Sequence, residues 1–198
     1  MAAADQESHA SVVRPRSYQD ESYLDGFVGT VGDLQKAGVL QDVILEVEGR
    51  QFPCHRLALS AASPYFRAMF TNGMAESRQK TVALQGLDAD VFGDILSYIY
   101  SGTLRVSLDK VQPLYQAAEF LQLDYVRDTC SSYMVMTLAR STCVDLFTFA
   151  DTLSVDIVLN CCRQWICRNF AEFTSSKMFC SLSVNQLTDV ISKDDLDV

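Results

Sequence analysis

The side chains with reactive potential are few, and their spacing suits no familiar chemistry. Cys54 and His55 are neighbours, which invites a reading as a nucleophile with its base or as two metal ligands. Successive residues on a strand point to opposite faces, so the pair does not converge easily on one ion. A structural role for His55 near a helix start is expected instead. Cys161, Cys162 and Cys167 lie close together but lack the paired short spacing of zinc sites, and no histidine follows them. Cys143 and Cys180 carry less signal still. With only His9 and His55 in the chain, and His9 in an aperiodic arm, there is little from which to build a triad. Gly26, Gly29 and Gly32 are not a phosphate loop, because no strand precedes them and no lysine follows at the required spacing. Neither catalysis nor a cofactor or metal is expected.

Composition narrows the classes further. The chain has 198 residues, of which 48% are hydrophobic, enough for a real core in one or two domains. The net charge of −9 disfavours a polyanionic partner such as nucleic acid, and the basic residues are scattered, with Arg14 and Arg16 in the N-terminal arm. No apolar run reaches the length of a bilayer, so no membrane partner is expected, and the start lacks the layout of a signal peptide. Seven cysteines sit inside apolar patterns, which suits reduced, buried thiols in a cytosolic or nuclear protein.

Residues 1–21 are small, polar and without period, and are expected to form a disordered arm. From Ser22 a helix is predicted: Leu24, Phe27, Val28, Val31 and Leu34 follow helical spacing, and Ser22 with Asp25 resembles a capping box. Three glycines weaken it, so packing must hold it. Its apolar face is wide enough to suggest cover by another subunit.

Asp42 to Val47 alternates like a strand, Glu48-Gly49 is a turn signal, and Arg50 to Pro53 returns as its hairpin partner. Ser63-Pro64 supplies a cap and first residue for a helix that Asn72-Gly73 ends. Thr81–Leu84 reads as a strand. Asp88 caps a helix with a broad apolar face, ended by Gly102, and Thr103–Val106 reads as a further strand. The next helix begins at Asp109 or later, so that Pro113 falls in its first turn. Asp124 is expected to cap another. From Ser141 the strand signals vanish. Ser141, Ser154 and Ser183 read as caps of three helices, the second buried through Ile157, Cys161, Trp165 and Phe173. A boundary therefore falls near 138–141, between an α+β unit (22–138) and an all-α unit (139–198).

Four segments carry a resemblance in a fixed order: L-x-x-G-V-L-x-D-V at Leu34–Val43, F-P-C-H-R-L-x-L-x-x-x-S-P-Y-F-R-A-M-F at Phe52–Phe70, Y-I-Y-S-G at Tyr98–Gly102 and A-A-E-F-L-Q-L at Ala117–Leu123. Together they resemble a BTB (POZ) domain followed by the first part of a BACK domain, as in kelch-like and kelch-BTB proteins. The implied fold is a short β-sheet flanked by helices, then a helical BACK segment. Further BACK helices and kelch repeats usually follow in that family. This sequence carries none, so a substrate-reading propeller is not expected here, and Phe170, Phe173, Phe179 and Leu182 are expected to be left uncovered or to rearrange.

The resemblance implies a homodimer formed through Tyr23, Leu24, Phe27, Val31 and Leu34, and a docking surface for cullin-3 in a ubiquitin ligase. The cullin signature, a hydrophobic residue, any residue, then glutamate, is matched by Met74-Ala75-Glu76, with Tyr100, Ser101 and Tyr125 at neighbouring positions. Methionine adapts to an irregular apolar pocket, and a carboxylate accepts orienting hydrogen bonds. Asp42 and Arg56 match a charged pocket by the dimer axis, where they could satisfy each other. Two other readings stay open: a self-association module in transcriptional or cytoskeletal regulation, and a regulatory form that heterodimerises with BTB relatives.

Overall fold

The computed structural model describes residues 16–174 and 182–192. Most of the expected N-terminal arm, together with Phe179 and Cys180, lies outside the described residues.

In β1 (Val43–Val47) the valines and Leu45 are buried while Ile44 and Glu46 are half-exposed, so the sheet has one core face. Glu48 (φ 48°) and Gly49 (φ 78°) both take positive φ, as a two-residue hairpin turn requires. The chain returns as β2 (Arg50–Cys54), with Val47 opposite Arg50. β3 (Thr81–Leu84) joins the other edge of β1 in parallel, giving the order β2-β1-β3. Helix α1 (Tyr23–Lys36) precedes this sheet, and α2 (Arg56–Ala62) and α3 (Pro64–Thr71) lie between β2 and β3. Ser63 caps α3 and does a second job: its buried Oγ accepts from the Phe66 amide at 3.2 Å and donates to the Leu121 carbonyl at 2.6 Å. Asn72 and Gly73 (φ 69°) end α3, as predicted.

The Asp88 carboxylate accepts from the Asp90 and Val91 amides, both at 2.9 Å, and starts α4 (Ala89–Ser101). That helix buries Val91, Phe92, Ile95, Leu96 and Tyr100, and Gly102 ends it at φ 69°. Next come α5 (Val111–Phe120), with Pro113 in its first turn, and α6 (Asp124–Met136). The C-terminal region is helical: α7 (Cys143–Leu153), α8 (Asp156–Arg168), α9 (Phe170–Thr174) and α10 (Val184–Ile191). Ser183 and Gln186 form a reciprocal capping box at the start of α10. Because α6 packs on α8, one apolar core runs through both regions.

The structure corrects several expectations. Ser22 precedes the first residue of α1 but its side chain caps nothing; its amide and hydroxyl both donate to the Asp20 carboxylate (2.9 and 2.7 Å), so Asp20 rather than a Ser22–Asp25 box holds the entry to α1. Thr103–Val106 forms no strand; Leu104 and Val106 pack on the core, but the segment has no ladder partner. Asp124 is the first helical residue of α6, not its cap. Thr142, not Ser141, precedes α7, and its hydroxyl reaches back to the Thr137 carbonyl at 2.9 Å. Ser154 ends α7 in the left-handed region (φ 56°) and does not begin α8. The buried face of α8 is Val158, Leu159, Cys162 and Ile166, while Ile157 is exposed and Cys161 and Trp165 are half-buried. Phe173, placed on that helix from sequence, belongs to α9, and both it and Leu182 are buried rather than left uncovered.

The three glycines of α1 divide in the same way. A Cβ on Gly32 would lie 2.8 Å from the Tyr100 carbonyl oxygen, whereas Gly26 and Gly29 have nothing within 4 Å. Gly32→Ala should therefore cost about 1–3 kcal/mol by forcing α1 off α4, and Gly26→Ala should be neutral or stabilise by up to about 1 kcal/mol. Urea unfolding compares them directly, and equal midpoints would show that helix approach does not demand Gly32. In the same assay Ser63→Ala should cost about 1–3 kcal/mol, because it orphans two buried backbone groups.

Candidate protein-interaction surfaces

The adjacent thiol and imidazole are both committed to structure. His55 Nε2 lies 2.8 Å from the Val39 carbonyl, which can only accept, so Nε2 donates there. Nδ1 then accepts from the Tyr100 hydroxyl at 3.1 Å, and that oxygen accepts from the His55 amide at 2.9 Å. Cys54 is buried, and burial pushes its thiol up to about 12, far from a reactive thiolate. Cys130 is raised to about 12 for the same reason. Among the described residues no group of three or more His, Cys, Asp or Glu side chains could hold a metal.

Exposed apolar side chains are spread over the described residues, Leu57, Met136 and Val184 among them, and two groups include residues expected from the sequence to meet partners. On α1, Tyr23, Leu24 and Phe27 are 63%, 69% and 55% exposed, with the Tyr23 and Phe27 rings stacked 6.2 Å apart. Val31 and Leu34, further along, are half-buried. The helix meets the body through Gly32, in its second half, and leaves its first turns uncovered.

The second surface surrounds the exit of α3. Met74 is extended (φ −62°, ψ 160°) and 50% exposed, immediately before a short 3-10 turn, Ala75–Ser77. Its carbonyl accepts from both the Ser77 amide (3.1 Å) and the Ser77 hydroxyl (2.6 Å). Glu76 is half-buried beside Tyr65; burial raises the Tyr65 phenol, and the Glu76 charge adds to the shift. The Tyr65 ring in turn lies 4.8 Å from that of Phe120. Apart from this group, Tyr125, five residues after Phe120, is 65% exposed and stacks on Tyr98 at 6.0 Å.

Not all of the sequence candidates share this exposure. Tyr100 is buried, with its hydroxyl engaged by His55, so its ring supports the fold from within and is not open to a partner. Ser101 is exposed, but its hydroxyl donates to the Ser97 carbonyl (2.6 Å) and accepts from the Thr103 amide (3.1 Å), tying down the end of α4. Asp42 and Arg56 do meet, though not side chain to side chain. Asp42 Oδ1 accepts from the Arg56 backbone amide at 2.8 Å, and the guanidinium points instead to the carbonyls of residues 76, 77 and 79. Tyr65 and Phe120 escaped the sequence reading. Each is an aromatic side chain off the buried stripe of its own helix, a signal that could have found them.

Residues 31–138 match the family described as BTB/POZ domain, and residues 143–198 match the one described as BTB And C-terminal Kelch. The chain is 36% identical over 162 residues to Kelch repeat and BTB domain-containing protein 8 of Xenopus tropicalis, covering 81% of this chain and 27% of that protein. It is 32% identical over 175 residues to Kelch-like protein 24 of Homo sapiens (88% and 29%) and 34% identical over 176 residues to Kelch-like protein 17 of Mus musculus (89% and 27%). It thus spans under a third of the length of these relatives. Among solved structures it resembles the BTB domain of zebrafish PATZ1 (28% identity, TM-score 0.57, 62% of this chain and 100% of that one). The BTB domain of human Gigaxonin is similar too (25%, 0.55, 61% and 98%). A three-stranded sheet wrapped by α1–α6 and continued by the helices from α7 onward is what those matches describe, and the chain belongs to the BTB/POZ family, its BTB domain followed by a BACK region as in kelch-like proteins.

Proposed function

We propose that this chain is a non-catalytic adaptor that pairs with a second copy through α1 and docks on cullin-3, as part of a cullin-RING ubiquitin ligase, through the turn that carries Met74 and Glu76. The observation that carries this reading is the pair of separate apolar surfaces on a BTB fold, one on α1 and one at the exit of α3. An isologous interface uses the same patch from both subunits, so the Tyr23–Leu24–Phe27 stripe can cover itself across a two-fold axis. A relative with a similar stripe could take the place of the second copy.

Met74 supplies a flexible apolar knob, and Glu76 beside it supplies the charge that orients a partner. Tyr65, beside Glu76, and Phe120 on its ring widen the surface with rigid aromatic area. The work done is proximity: a docked assembly raises the effective concentration of a substrate at the ligase without any bond being made here. A reducing compartment, the cytosol or nucleus, suits the six described cysteines, none of which is joined in a disulfide.

Met74→Ala combined with Glu76→Ala should weaken cullin-3 binding by about tenfold or more and leave self-association unchanged. Titration calorimetry reads the first effect; identical affinity for the double variant would remove this turn from the interface. Phe27→Ala should cost the dimer about 3–5 kcal/mol, provided the ring is fully covered in the pair. Light scattering on the eluting protein would then report a monomer, and an unaltered dimer would place the interface elsewhere.

A further inference from the structure

We propose that Arg56 is the positioning residue of the Met74–Glu76 turn, an inference that rests on the docking role given to that turn above. No residue of the 3-10 turn Ala75–Ser77 is buried, so hydrophobic burial does not hold its shape. Its internal bonds are three backbone contacts, Ser77 to Met74 (3.1 Å), Arg78 to Ala75 (3.1 Å) and Gln79 to Glu76 (3.3 Å), and the Ser77 hydroxyl bond. A helix this short is intrinsically marginal, and of the carbonyls at its exit those of Ser77 and Gln79 accept none of these bonds.

Arg56 meets those carbonyls. Nη1 donates to the Glu76 carbonyl at 3.3 Å and to the Ser77 carbonyl at 2.9 Å, and Nη2 donates to the Gln79 carbonyl at 2.5 Å. A cation at the carbonyl end of a helical turn also complements its dipole. The guanidinium is fixed from behind by Phe70, whose ring centroid lies 4.7 Å from Cζ. Its backbone is fixed as well, since Asp42 holds the Arg56 amide at 2.8 Å and the Asp42 amide donates to the Cys54 carbonyl at 3.1 Å. Asp42 and Arg56 therefore act in series as a strut from the edge of β1 to the turn.

A planar fork is what the arrangement requires. Three carbonyls from a segment of four residues are reached by one rigid group, which a lysine ammonium on a flexible stem cannot reproduce. Holding the turn in one shape before the partner arrives removes an ordering cost from docking. Arg56 thus sets affinity while the surface presented to the partner is Met74 and Glu76.

The test uses the full chain with Arg56→Lys, Arg56→Gln, and Met74→Ala with Glu76→Ala. Amide hydrogen exchange at Ser77, Arg78 and Gln79 is measured without partner, and cullin-3 affinity by calorimetry. Both Arg56 variants should exchange about tenfold faster at those amides, with β1 amides unchanged, and should bind about tenfold more weakly. The Met74/Glu76 variant should lose affinity yet keep its exchange protection, a separation that a purely structural role for Arg56 would not produce. Should Arg56→Gln loosen the sheet as well, Arg56→Lys, which keeps a cation at this position, supplies the comparison. Unchanged exchange at residues 77–79, or faster exchange with full affinity, would overturn the positioning role. Failure of the unmodified chain to bind cullin-3 would instead sink the docking reading, and the exchange rates would still decide whether Arg56 holds the turn.

Discussion

Tyr100, near the end of α4, is the point at which three parts of the BTB domain are joined. Its backbone carbonyl is where α1 makes its closest approach, at Gly32, and its hydroxyl bonds both the amide and the ring of His55 at the start of α2. His55 then reaches the Val39 carbonyl just beyond α1, closing a loop of contacts around one buried side chain. Both candidate surfaces inherit their placement from this junction. The direction of α1 sets where its apolar stripe faces, and the start of α2 sets where Arg56, the next residue, begins its reach toward the turn at 76–79.

The division of labour that follows is economical in residues. Buried side chains such as Tyr100 and Ser63 satisfy backbone groups from distant segments, and apolar side chains of α1 and of the α3 exit, Leu24, Phe27 and Met74 among them, remain half or more exposed. Exposed aromatic and methionine side chains on an otherwise polar surface are costly to leave in water unless something covers them. The neighbouring reactive groups serve the fold: the thiols of Cys54 and Cys130 are raised by burial, and both ring nitrogens of His55 are hydrogen-bonded.

How legible this was in the sequence depended on whether the signal was local. Ser63-Pro64, Asp88, Ser183 with Gln186, Gly102 and Glu48-Gly49 act within a few residues of themselves, and all behave as their types dictate. Ser154 and Thr142 show the limit of that reasoning, since a left-handed backbone and a hydroxyl turned back to Thr137 are choices of context. Leu104 and Val106 keep a strand's alternation without a neighbouring edge to pair with. The buried face of α8 was read one position out of phase, because Ile157, Cys161 and Trp165 form as regular an apolar row as Val158, Cys162 and Ile166. At the site, Met74 and Glu76 were recognisable by spacing, whereas the targets of Arg56 are backbone carbonyls, which have no sequence signature at all.

In the proposed assembly one surface binds a second copy while the other remains open to the ligase scaffold. Sedimentation equilibrium of the chain mixed with cullin-3 tests both halves at once. The account predicts an assembly with two copies of each protein. A complex of one copy with one, or a monomer that ignores the scaffold, would contradict it.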